Sequence, residues 1–257
     1  MITAGIDMGI EYVKAVVLKD GKVAGRGIGL SGGARRSAAA ETALEDALKE
    51  AGFSRGDLEK IIATGKGKFD LVFVDKQVTE AVAAASAVKA LCPEATCVMN
   101  AGCDETLVVT FTGDGKIQQP ALNEKCAAGV GGFLQNMARR LELSLDEMSA
   151  LPPVAEGGAA VNDGCVVFAE LDALSLLSQG KSPEEIASAV TDAAAIRACT
   201  VISDITIPAF ARVVLLGGLT KNKAFVRALE ARAGFDFVIP EEAEYAGAFG
   251  AALIAAG

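Results

Sequence analysis

The chain has 257 residues, 51% of them apolar, and a formal charge of −9, enough for two modest cores or one large one and incompatible with a disordered protein. The acidic balance argues against a nucleic-acid or anionic-membrane partner, since both demand a basic face. With no histidine in the sequence, Ser-His and Cys-His nucleophiles, a histidine base and a histidine-ligated metal are all ruled out.

The opening, "ITAGIDMGIEYVKAVVLKDGKVAGRGI", reads as three strand segments, with "KDGK" as a tight turn between the last two. It lacks the basic-then-apolar layout of a secretion signal. Asp7 falls at a strand end, Gly9 in the turn and Lys14 on the returning strand. Residues 34–52 have helical spacing with a glycine stop. "LEKIIATGKGK" reads as a strand running into a Gly-rich loop, and "TEAVAAASAVKAL" as a helix.

The pattern then restarts. "ATCVMNAGCDETLVVTFTGDGKIQQPAL" is again strand, Gly turn, strand, "GDGK" turn, strand, an echo that predicts two α/β domains of similar topology. Helices are expected from about Ala127 and Val166, each just after a lone cysteine, Cys126 and Cys165. A further helix starts with Ser182 as cap and Pro183 at its first position. "ARVVLLGGLTKNKAFV" reads as strand, Gly217–Gly218 turn and helix, and the chain closes with a short strand and a small-residue helix. No apolar run approaches the ~20 residues that span a bilayer, so a cytoplasmic location and no membrane partner are expected.

In that compartment the six cysteines are not expected to form disulfides, and without a CxxC pair they suggest neither a zinc ribbon nor a thioredoxin-like site. Cys92, Cys97 and Cys199 read as core residues, whereas Cys103 falls in the second hairpin. Asp7-Met8-Gly9 offers backbone N–H groups that can approach phosphate oxygens and a carboxylate that can hold Mg²⁺. Alone it would more often be a plain hairpin. A second hairpin at Gly102–Glu105, and Gly217–Gly218 with Asn222 opening a helix, shift the reading to ATP.

These three segments, in this order, resemble the acetate and sugar kinase, heat-shock chaperone and actin superfamily. The resemblance implies two duplicated ribonuclease H-like domains with an ATP cleft between them: residues 1–95, completed by the helix at 244–257, and residues 96–243. Within the superfamily, "KCAAGVGGFL", "CVVFAE" and "YAGAFGAAL" are similar to the ATPase family of benzoyl-CoA reductase and of 2-hydroxyacyl-CoA dehydratase activators, and the likeness runs essentially the full length. A [4Fe–4S] cluster takes four thiolates, and Cys126 and Cys165 supply two. Two subunits facing each other make the set, with helix N-termini stabilising thiolates and an anionic cluster. The resemblance implies the same bridging cluster.

The second hairpin departs from the family's Asp-x-Gly-Gly-Gln-Asp-like run. Asn100 replaces the first acid, Cys103 a glycine and Asp104 the glutamine. An amide is neither a base nor an anionic metal ligand, so Asp104 or Glu105 is expected to take over the water-orienting or Mg²⁺ role, or hydrolysis is slow. The implied function is ATP-driven electron transfer from ferredoxin through the shared cluster to an acyl-CoA-reducing partner. The diverged hairpin and the "ITAGID" opening point to an ATPase subunit of a benzoyl-CoA reductase with a sister chain; the alternative is a homodimeric dehydratase activator. The rivals are a small-molecule kinase, which needs a carboxylate base and no cluster, and a non-catalytic ATP-sensing scaffold.

Overall fold

The protein is described by a computed structural model covering residues 1–112, 116–123, 129–207 and 212–257. In chain order the elements are β1 (Ile2–Met8), β2 (Tyr12–Lys19), β3 (Lys22–Leu30), α1 (Arg36–Ala51), β4 (Lys60–Thr64), β5 (Lys76–Gln77) and α2 (Glu80–Leu91). There follow β6 (Cys97–Ala101), β7 (Thr106–Phe111), β8 (Ile117–Leu122), α3 (Val130–Arg140), α4 (Leu145–Ala150), α5 (Val166–Ser178) and α6 (Pro183–Ser203). The chain ends with β9 (Val213–Leu216), α7 (Lys223–Ala233) and α8 (Ala246–Ala256).

The strands form two sheets, ordered β3-β2-β1-β4-β5 and β8-β7-β6-β9. Both follow one plan, in which three consecutive strands form a meander and a later strand joins beside its first. In the first sheet β1 pairs antiparallel with β2, putting Asp7 opposite Lys14. On its other side β1 pairs parallel with β4, putting Asp7 level with Thr64. By contact density one unit comprises Met1–Val98, Val109–Gln118 and Pro240–Gly257, and the other Met99–Val108 and Gln119–Ile239.

Strand alternation sorts β1 into two faces. Ala4, Ile6 and Met8 join Ala40, Leu44 and Ala47 of α1 in one core. Thr3, Gly5 and Asp7 face the other way, toward α8: the Thr3 hydroxyl donates to the Ala252 carbonyl at 3.1 Å, and a Cβ on Gly5 would lie 2.0 Å from the Ala248 oxygen. Gly250 of α8 presses as closely on α2, 1.9 Å from the Ala83 oxygen by the same measure. The small residues of α8 are what let its backbone settle onto the sheet. Arg26 on β3 forms an ion pair with Glu242 and ties the C-terminal segment to the first unit.

The expected helix signals are realised. Gly52 ends α1 in a left-handed conformation, its N–H reaching the carbonyls of Leu48 and Lys49. Ser182 and Glu185 form a reciprocal capping box ahead of Pro183. Among the described residues α6, 21 residues long, is the one helix long and apolar enough to span a bilayer, with an 18-residue stretch of mean hydropathy 1.3, yet 67% of that stretch is buried inside the protein. It is a core helix, packed against α3 and α7. Two details differ from expectation. The helix expected from about Ala127 starts at Val130, while Cys126 and most of the "GDGK" turn lie outside the described residues. The short strand near the C-terminus reduces to one bridge, Val214 with Val238. Two hydrogen bonds hold it, from the Leu215 N–H to the Val238 carbonyl and from the Val238 N–H to the Val213 carbonyl, each 2.9 Å.

Candidate nucleotide and cluster sites

Asp7 stands at the end of β1 with its carboxylate walled in by two glycines. A Cβ on Gly65 would lie 2.6 Å from its Oδ1, and one on Gly247, in the first turn of α8, 2.7 Å from its Oδ2. Gly65 also has φ +90, and a Cβ there would lie 2.5 Å from the Met8 oxygen, so no other residue fits without strain. Burial pushes the Asp7 carboxyl above its usual range, while Lys14 and Lys68 pull it back down. Lys68 is held by the Gly65 carbonyl at 3.1 Å and lies 4.7 Å from the centre of the Phe69 ring. Level with Asp7, the fully buried Thr64 hydroxyl has no hydrogen-bond partner. A desolvated carboxylate, an unpaired hydroxyl and two lysine charges together fit a bound cation with its phosphate oxygens.

The second hairpin repeats this frame residue by residue. The Gly9 N–H donates to the Tyr12 carbonyl at 3.1 Å, and the Gly102 N–H to the Glu105 carbonyl at 2.9 Å. Gly217, with φ +97 after β9, would bring a Cβ 2.3 Å from the Ala101 oxygen and 2.8 Å from Asn100 Oδ1. Gly217 is therefore to Asn100 what Gly65 is to Asp7. Counted from the turn glycine, the place of Lys14 is taken by Leu107, which is 3% exposed. The second hairpin has thus exchanged both members of the acid–base pair for neutral residues.

Gly218 opens a four-residue 3-10 turn, Gly218–Lys221, rather than α7 itself. A Cβ at Gly218 would meet nothing within 4 Å, which leaves an open surface at that turn. Asn222 caps α7, its Oδ1 accepting the Phe225 N–H at 2.9 Å. The side-chain carbonyl of this expected nucleotide ligand is therefore engaged in holding the helix start.

Asp104 and Glu105 stand on a loop that leans on the first turn of α3. The Gly102 and Cys103 carbonyls accept the Gly131 and Gly132 N–H groups at 3.2 and 2.8 Å, satisfying donors that a helix start leaves orphaned. A Cβ on Gly129 would lie 2.1 Å from the Asp104 oxygen, so the "GVGG" sequence exists to admit this loop. Cys103 Sγ lies 3.8 Å from Gln135 Oε1 on the same helix.

Cys165 is the N-cap residue of α5. It is half-buried and free, and is set there by Asn162, whose Oδ1 accepts the Gly164 and Cys165 N–H groups at 3.0 and 2.6 Å. Behind it α5 turns a row of large apolar side chains outward: Val167, Phe168, Leu171 and Leu174 are each more than half exposed. Cys92 and Cys97 are buried, and burial pushes the Cys97 thiol up to about 11. Cys199 is half-buried beside the Leu229 carbonyl at 3.9 Å. Among the described residues no group of three or more Cys, Asp or Glu could hold a metal.

Sequence reasoning singled out Gly217 but gave no role to Thr64, Gly65 or Gly247. "ATG" after an apolar strand and "AGAFG" at a helix start were the available signals, but what they abut is decided across the sheet.

The profile of the BadF/BadG/BcrA/BcrD ATPase family matches residues 4–255. The chain is 37% identical to the activator of lactoyl-CoA dehydratase of Anaerotignum propionicum, covering 99% of this chain and 97% of that protein. It is 29% identical to one of the subunits of the benzoyl-CoA reductase of Thauera aromatica, covering 98% and 92%. Among solved structures, the activator of the 2-hydroxyisocaproyl-CoA dehydratase from Clostridium difficile with bound ADPNP superposes with a TM-score of 0.89 at 29% identity, covering 99% of this chain and 94% of that one. The fold is the duplicated ribonuclease H-like one of actin and sugar kinases.

Proposed function

The chain belongs to the BadF/BadG/BcrA/BcrD ATPase family, and from that premise we propose that it is the ATP-hydrolysing activator of a 2-hydroxyacyl-CoA dehydratase, working as a cytoplasmic homodimer. The stronger likeness is to a dehydratase activator, at 37% identity against 29% for the reductase protein, and it moves the reading away from the reductase that the second hairpin suggested. The observation that carries the electron-transfer reading is Cys165 at the start of a helix whose outward face is apolar and exposed. A second copy of the chain covers that face and brings two more thiols.

A [4Fe–4S] cluster held by Cys126 and Cys165 of both copies would supply one-electron chemistry at low potential, fed by a ferredoxin. Asp7 and the Thr64 hydroxyl hold the Mg²⁺ of bound ATP, with Lys14 and Lys68 compensating phosphate charge. Gly9 and Gly65 keep the backbone close enough to serve as a phosphate cradle. At the second hairpin, Gly102, Asp104 and Glu105 sense the nucleotide. Their loop is hydrogen-bonded to the first turn of α3, which begins four residues after Cys126 in the sequence, so movement of the hairpin is passed to the start of that helix.

Anaerobically prepared protein, reduced and supplied with MgATP, is expected to switch on a purified 2-hydroxyacyl-CoA dehydratase in substoichiometric amounts, with none of this activity from Cys165→Ser. Asn100 favours a second reading, a benzoyl-CoA reductase component paired with a sister ATPase chain. Activation only of the reductase, and only with the sister chain present, would establish that reading instead.

A further inference from the structure

Phe69 stands in the loop that follows β4, in a short 3-10 turn over Lys68–Asp70. It is 73% exposed, so its ring adds little to the core. What the ring does meet is the Lys68 ammonium, 4.7 Å from its centre, at the separation of a cation–π contact. The same ammonium donates to the Gly65 carbonyl at 3.1 Å. Gly65 is the residue that walls in Asp7 Oδ1. The Lys68 charge is thus held between an exposed ring and the edge of the Asp7 site.

The backbone under this arrangement is tied down on both sides of the ring. The Gly67 N–H donates to the Met8 carbonyl at 2.9 Å. Gln77 Nε2 donates to the Lys68 carbonyl at 3.0 Å, and Arg36 Nη1 donates to Asp70 Oδ2 at 3.2 Å. Against that fixed frame the lysine stem is the soft part. Its ammonium rides on a flexible four-carbon chain, and ordering that chain on a phosphate costs rotamer freedom. A ring that already confines the ammonium removes part of this cost before the ligand arrives.

We propose that Phe69 is a positioning residue for nucleotide binding: its ring presets the Lys68 ammonium at the Asp7 site, where that charge meets the phosphates of ATP. The inference deepens the nucleotide reading above and rests on it. Any aromatic face supplies the contact, with indole the strongest, whereas an aliphatic side chain of similar bulk does not.

Calorimetric MgATP binding to the full chain tests this with Phe69→Leu, Phe69→Tyr, Phe69→Trp, and Lys68→Met alone and combined with Phe69→Leu. All are expected to keep the fold by circular dichroism, since the ring lies outside the core. Phe69→Leu should bind MgATP about two- to five-fold more weakly, the worth of a cation over an exposed ring. Phe69→Tyr and Phe69→Trp should stay near the wild type. In the Lys68→Met background, Phe69→Leu should cost nothing further, as for two residues acting as one. The chain has no tryptophan, so Phe69→Trp also supplies a single indole whose emission should change as MgATP draws on Lys68. Wild-type affinity in Phe69→Leu, an equal loss in Phe69→Tyr, a further loss in the Lys68→Met background, or an indole indifferent to saturating MgATP each overturns the proposal. Lys68→Met that binds MgATP as tightly as the wild type would instead sink the placement of Lys68 at the phosphates, and this proposal with it.

Discussion

The two hairpins are one backbone device carrying different chemistry. In each, a turn glycine donates to the carbonyl three residues on, and a glycine with positive φ after a neighbouring strand presses on the side-chain oxygen two residues before that turn glycine. The first hairpin places Asp7 opposite Lys14 in that frame; the second places Asn100, with Leu107 at the matching step. Backbone geometry, which needs only glycine, survives divergence. Between the two hairpins both charges change together, as expected where a half-buried acid without its lysine is costlier than neutral residues at both places.

The sharpest way to break the comparison is Asp7→Asn, which makes the first hairpin resemble the second. MgATP turnover should fall by roughly 10²-fold or more, as for loss of a positioned charge stabiliser, while nucleotide binding measured by calorimetry falls much less. Equal turnover would place the chemistry elsewhere. Next come the two pressing glycines. Gly65→Ala and Gly217→Ala should each cost about 1–3 kcal/mol from the strained φ alone, with more from the overlap, read as a lower denaturant midpoint. If one is tolerated, the two frames are not equivalent.

Asn100→Asp asks the reverse question. A homodimeric activator needs no sister chain with a fuller acidic run, so restoring the acid should leave turnover near the wild-type value, and a several-fold rise would favour the heteromeric reductase instead. Wild-type turnover matching that of Asn100→Asp would favour the homodimeric activator over the heteromeric reductase.

The smallest effect is on stability. Because burial raises the Asp7 carboxyl above its unfolded value, its ionised form costs folding free energy. That cost is absent below the ordinary carboxylate range, grows as pH rises through the folded value and is constant above it. Nucleotide-free Asp7→Asn should therefore melt higher than wild type at pH 7, by ~2–4 °C per kcal/mol relieved. The gain should vanish below ~pH 4. A variant that is stabilised and inactive would mark Asp7 as a strained functional group.

Much of this was legible in the sequence because its signals are local. Asp7-Met8-Gly9 and Asn100-Ala101-Gly102 announced the turns, Ser182-Pro183 and Gly52 the helix ends, and Cys165 its cap position. What escaped depends on neighbours far along the chain. Gly65 and Gly247 matter because Asp7 lies against them. Asn222, expected to bind nucleotide, also caps α7 by accepting the Phe225 N–H, a role readable from an Asn ahead of an apolar helix stretch.

The central claim is that two copies of this chain share one cluster through Cys126 and Cys165. Anaerobic purification followed by iron, sulfide and mass measurements on the same sample tests it most directly. A brown dimer with about four iron and four sulfide per two chains is predicted, falling to a colourless but folded protein in Cys165→Ser. An iron-free wild-type preparation, or a Cys165→Ser variant with its full iron, would contradict the account.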